Sequence, residues 1–170
     1  MGRRYGCDRD GESDGRTGRM TGSRRKAREA VLQGLYWSLS SGDPVQQTLQ
    51  TMALRTGLSE DASACARSLG TKAWEAREVL DGRIGEVTEN WSVDRLSRID
   101  RILMWMALTE IEHFSDVPVK VSIDEAIELA KRFSVEKAPA FINGVLDRLA
   151  RGDLSPVETG DQDRGPQEER

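Results

Sequence analysis

Apolar residues recur every three to four positions from about Ser23 to Arg151, and no stretch shows the strict alternation of a strand. Leu32, Leu35, Tyr36 and Leu39 form one stripe and predict a helix from about Ser23 to Ser40, ended by Ser41-Gly42. Asp43-Pro44, an N-cap side chain followed by a residue whose fixed φ suits a first helical turn, opens a second helix to about Arg55. Ser59-Glu60-Asp61 caps a third, reaching about Trp91, with Leu69, Ala73, Trp74, Leu80, Ile84 and Val87 inward. Gly70, Gly82 and Gly85 each cost that helix about 1 kcal/mol relative to alanine, which predicts a kink, a break or close packing there. After Ser92-Val93-Asp94, residues 94–114 are apolar nearly all round and predict a core helix surrounded by neighbours. Pro118 breaks the pattern, and Ser122-Ile123-Asp124-Glu125 spells a capping box for a helix to about Phe133. Pro139 suits the first turn of a last helix, from Ala140 to about Arg151, which Gly152 stops. The fold class is all-α, a compact bundle of six to seven helices joined by short loops.

Composition sharpens this picture at the two ends. Residues 1–22 are rich in Gly, Arg, Asp and Ser and read as a disordered basic arm; residues 153–170 read as a disordered acidic tail, leaving 23–152 as the folded domain. Residues 1–28 hold nine Arg or Lys against four Asp or Glu, whereas the whole chain carries a net charge of -4. A basic arm on an acidic body points to a local anion site, not to a nucleic-acid groove covering the whole surface. Two cysteines cannot build a disulfide scaffold, and Cys7 and Cys65 read as the reduced thiols of a cytoplasmic protein. The longest uninterrupted apolar run, Ile102 to Leu108, is too short for a membrane span or a secretory signal.

The strongest functional signal is Arg24-Arg25-Lys26-Ala27-Arg28. Arg25 and Arg28 continue the apolar stripe of the first helix backwards, and cations in a first helical turn would face the positive end of the macrodipole. Such a placement suggests a purpose other than helix stability, and a polyanion such as RNA fits it. A solvated basic run is the alternative, which composition alone leaves open. Catalytic signals are weak. His113 is the single histidine, at a helix end where the dipole favours it; no phosphate-binding loop, dinucleotide fingerprint, metal-ligand spacing or cofactor motif is present. Gly82-Arg83-Ile84-Gly85 matches a KH-type G-x-x-G only in letters, because its flanks are helical. Asp124, Glu125 and Glu128 read as a capped, solvated helix start, and Trp37, Trp74, Trp91 and Trp105 as core or interface filler.

Several motifs occur together in order. They are Arg24-Arg25-Lys26-Ala27-Arg28-Glu29 with Leu35-Tyr36, Asp116-Val117-Pro118 with Lys120-Val121, Glu125-Ala126-Ile127-Glu128-Leu129-Ala130-Lys131, and Phe141-Ile142-Asn143-Gly144-Val145-Leu146-Asp147. Over residues 24–151 the chain resembles the NusB family of transcription antitermination factors. The resemblance implies two packed three-helix subdomains and a non-enzymatic role: binding boxA RNA together with the NusE ribosomal protein, joining the RNA polymerase elongation complex and supporting ribosomal RNA transcription. By motif position it assigns Arg24, Arg25, Lys26, Arg28 and Phe141 to RNA, and Tyr36 and Asp100 to the protein partner, with no catalytic residue and no metal. Asp124 departs from the Asn of many members, and Lys137-Ala138-Pro139-Ala140 is less polar than usual. Whether the free protein forms a homodimer is not legible.

Two other readings compete with the adaptor. A similar helical domain accompanies certain ribosomal RNA cytosine methyltransferases, which would require a following α/β domain, and the chain ends at Arg170 without one. The other is a helical module that binds only protein.

Overall fold

The computed structural model describes residues 17–88 and 93–152, with side chains from residue 22 onward. Six helices follow one another: α1 (Thr17–Ser41), α2 (Val45–Arg55), α3 (Glu60–Val87), α4 (Arg98–His113), α5 (Val119–Phe133) and α6 (Ala138–Arg151), with a 3₁₀ turn at Val93–Arg95. α1, α2 and α3 pack against one another, as do α4, α5 and α6; α3 and α1 against α4 join the two halves. The expected two three-helix subdomains therefore share one continuous core. α4 lies at its centre, with Ile102, Leu103, Met104 and Trp105 fully buried, because a helix apolar on every side can be satisfied only by neighbours on every side.

The glycine expectation resolves as close packing at Gly70 alone: a Cβ at Gly82 would meet nothing within 4 Å, and one at Gly85 only Val93 at 3.4 Å. α3 runs unbroken through Gly70, Gly82 and Gly85. A Cβ at Gly70 would lie 2.6 Å from Leu49 Cδ2, and one at Gly34 on α1 would lie 3.0 Å from the same atom. Leu49 of α2 is thus seated between two side-chain-free positions, one on each neighbouring helix. Outside the helices, Gly42, Gly57 and Gly152 adopt positive φ and close α1, α2 and α6.

Three local expectations are corrected. α1 begins at Thr17, inside the segment expected to be disordered, since a helix fixed by docking propagates beyond its docked part at little cost; residues 1–16 and 153–170, the rest of the expected arm and the tail, lie outside the described residues. Pro44, at φ -57 and ψ 130, is itself the N-cap of α2, and no side chain caps that end. Pro118 plays the same part for α5, which starts at Val119, so Ser122 lies within the helix and the capping box does not form. The Ser122 hydroxyl is buried with no hydrogen-bond partner among the described residues. Ser122→Ala should therefore leave stability unchanged or raise it slightly, where loss of a true N-cap would cost about 1 kcal/mol; denaturant unfolding distinguishes the two.

Candidate nucleic-acid interface

The basic motif occupies the second and third turns of α1, where the unpaired N–H groups of a helix start are already passed, so the dipole penalty anticipated for it does not arise. α1 runs antiparallel to α4, as three contacts along its length show: Arg24 Nη2 lies 3.5 Å from Asp116 Oδ2 just beyond α4, Arg28 meets Glu110, and Arg98 Nη1 donates to Ser40 Oγ at 3.1 Å. The cationic segment is thereby laid across the C-terminal end of α4 and the start of α5.

The four cations of the motif then divide by direction. Arg28 points inward. It is 7% exposed, and its Nε and Nη2 donate to Glu110 Oε1 and Oε2 at 2.8 and 3.2 Å. Of the cations the resemblance assigns to RNA, Arg28 is thus enclosed between α1 and α4, with its Nε–Nη2 edge taken by Glu110. Arg24 is half-exposed, with Asp116 as one partner. Lys26 is exposed. Arg25 has a side chain 48% exposed, and its Nε and Nη2 donate to Glu125 Oε2 and Oε1 at 3.0 and 2.7 Å. Glu125, read from the sequence as part of a solvated cap, is the hinge of the arrangement: its Oε2 also lies 3.9 Å from Arg28 Nη1.

Electrostatics follow this geometry. The hydrogen bond from Arg25 holds the Glu125 carboxyl below its ordinary range, against the opposing effect of burial and with help from the Arg28 charge. The same hydrogen bond raises Arg25 further above its ordinary value. A depressed carboxyl contributes stability that is present above its unfolded pKa, about 4.3, and is lost as pH falls through the folded value. Wild type should accordingly exceed Glu125→Gln by up to about 1 kcal/mol near neutrality, the pair being part-exposed, and the difference should vanish in acid. Unfolding curves at pH 7 and pH 3 measure it.

Sequence reasoning missed Arg132. On α5 it is an ion-pair partner of Glu29, one helical turn after Arg25, and it lies over the Phe133 ring at 5.1 Å. A seam between α1 and α5 thus carries Arg25, Lys26 and Arg132 toward solvent. The i, i+4 spacing of Arg25 and Glu29 on α1 offered half of this signal; the other half needed α5. Phe141, in the first turn of α6, is half-buried against the core. Of the two residues expected at a protein partner, Tyr36 is 43% exposed, one turn before Ser40 and its neighbour Arg98. Asp100 is 7% exposed, and its Oδ1 accepts from Ser134 Oγ at 2.6 Å, which ties the start of α4 to the end of α5. The tryptophans serve packing as expected where described: Trp105 is fully buried and donates to Asp81 at 2.8 Å, while Arg55 and Arg77 lie over Trp37 and Trp74. Trp91 lies outside the described residues.

Two helical triads on one core, with a charged seam along α1, define an all-helical domain of the kind found in transcription antitermination factors. The T. maritima NusB structure superposes with a TM-score of 0.71 at 35% identity, covering 75% of this chain and 90% of that one. The NusB family model matches residues 25–151, and the chain belongs to the NusB family. Among its relatives, the transcription antitermination protein NusB of Symbiobacterium thermophilum is 38% identical over 138 residues, 76% of this chain and 90% of the relative. That of Salinibacter ruber is 40% identical over 129 residues, 75% and 80% of the two chains. A complex of the antitermination factors NusB and NusE with double-stranded RNA shares the fold, at a TM-score of 0.70 and 23% identity, over 78% of this chain and 99% of that one. Among the described residues no helix is long and apolar enough to cross a membrane.

Proposed function

We propose that this protein is a non-catalytic RNA-binding adaptor: it binds boxA RNA together with the NusE ribosomal protein, joins the RNA polymerase elongation complex and supports transcription of ribosomal RNA. The observation that carries the reading is the seam of outward cations, Arg25, Lys26 and Arg132, in a member of a family with a solved complex of NusB, NusE and RNA. Arginine forks and a lysine on a rigid helix present charge to phosphates in fixed geometry, and half-buried Phe141 supplies a ring for base contact. Arg24, Arg25, Lys26 and Phe141 are the proposed RNA residues, with Arg132 added; Arg28 supports them from beneath. Exposed Tyr36 is the proposed contact to the protein partner, on a surface whose backbone Asp100 braces. An acidic body suits a basic ribosomal protein, since opposite charge speeds and orients docking.

The test is binding of a boxA-like RNA and a scrambled RNA with and without the NusE-type protein. The adaptor reading expects the partner to strengthen boxA binding over the scrambled sequence. Absence of RNA binding with the partner present would favour a protein-only module.

A further inference from the structure

We infer that Glu125 is an internal counter-ion of the RNA site, which an RNA phosphate must displace from Arg25. The inference rests on the RNA-binding reading above and assigns a role to a residue outside the basic motif. Glu125 occupies the Nε–Nη2 edge of Arg25 with both carboxylate oxygens, and this is the same edge that an arginine offers for bidentate capture of phosphate. One edge cannot serve both anions.

The two partners differ in freedom. Glu125 sits on the second turn of α5, whose neighbouring Ile123, Ala126 and Leu129 are buried, and only 17% of its side chain is exposed. Arg25 projects from α1 with half its side chain in solvent. Arg25 is therefore the one that moves. When it leaves, Glu125 is not stranded, because Arg28 Nη1 remains 3.9 Å from Oε2 while Arg28 keeps its bidentate bond to Glu110. The exchange leaves no buried charge without a partner, which makes it a low-cost step in binding.

This exchange has a signature that simple screening lacks. Each phosphate neutralised by a net positive charge releases counter-ions condensed on a single-stranded nucleic acid and steepens the dependence of log affinity on log salt by about 0.7. In wild type the displaced Glu125 carboxylate stays beside the bound phosphate, so the Arg25–Glu125 pair brings no net positive charge and adds little to the slope. Glu125→Gln should bind a boxA-like RNA about two- to fivefold more tightly at low salt, with a slope steeper by about 0.7, so that the gain shrinks as salt rises. Arg25→Ala in the Glu125→Gln background should return the slope to the wild-type value. Glu125→Ser repeats the measurement without an amide that could rebuild the contact, and Glu128→Gln removes the same charge from the same helix without removing a hydrogen bond to Arg25. Circular dichroism confirms that each variant is folded.

Tighter, more salt-sensitive binding in both Glu125 variants, with Glu128→Gln close to wild type, is the expected result. Weaker binding or an unchanged slope in the Glu125 variants would overturn the inference and make Glu125 a residue that positions Arg25. An equal gain in Glu128→Gln would also overturn it, since the effect would then be one of overall charge. If wild type itself bound neither boxA-like nor scrambled RNA, the RNA-binding reading would fall, and this inference with it.

Discussion

Arg28→Ala should destabilise the fold by about 3–5 kcal/mol, read as a shift of the denaturant midpoint in unfolding monitored by circular dichroism. The size follows from what remains behind. Glu110 is 6% exposed, and its two oxygens accept from Arg28; removing the guanidinium leaves a carboxylate inside the junction of α1 and α4. An unpaired buried charge costs far more than a lost surface pair, and a domain with about 5–15 kcal/mol of total stability feels such a loss severely. Replacing both partners together, Arg28→Met with Glu110→Leu, should recover most of it, because no charge is then stranded. A loss below about 1 kcal/mol for the single variant would mean that Arg28 reaches solvent and belongs with the outward cations after all.

Arg25→Ala combined with Lys26→Ala should leave stability within about 1 kcal/mol of wild type, yet weaken RNA binding by about 30- to 100-fold. Both residues face solvent on α1 and contribute nothing to the core. Each charge-assisted contact to a phosphate is worth about 1.5 kcal/mol, roughly tenfold, and the variant loses two. Fluorescence anisotropy of a labelled boxA-like RNA measures the effect. Neighbours within one basic motif are thus expected to fail in opposite ways, one in folding and the others in binding.

That division is half legible in the amino-acid sequence. Periodicity marks the helices because this core is built from Leu, Ile, Val, Met and Ala on regular stripes, with Gly or Pro closing or opening several of the helices. The same stripe contains the fate of Arg28. It stands three, four and seven residues before Val31, Leu32 and Leu35, all buried, so helical geometry carries it into the core, where an arginine requires a carboxylate. Glu110, an acid near the end of a helix apolar on all sides, is the matching signal. Glu125 is not legible. Its spacing from Ser122 satisfies a capping box as well as any, and only the fold reveals that Pro118 starts the helix a turn earlier and that Arg25, 100 residues away, takes the carboxylate. The surroundings of Asp100 are hidden for a related reason: a position at the start of a helix says nothing of the Ser134 hydroxyl that meets it from the end of α5.

RNA is expected to meet the chain along the seam of α1 and α5 and at the start of α6. The decisive experiment is photo-crosslinking of a thiouridine-substituted boxA RNA to the wild-type protein, in the presence of the NusE-type protein, with the crosslinked peptides mapped by mass spectrometry. Crosslinks on peptides carrying Lys26, Arg132 or Phe141 are the predicted result. Crosslinks confined to α2 and α3, with the seam untouched, would contradict it.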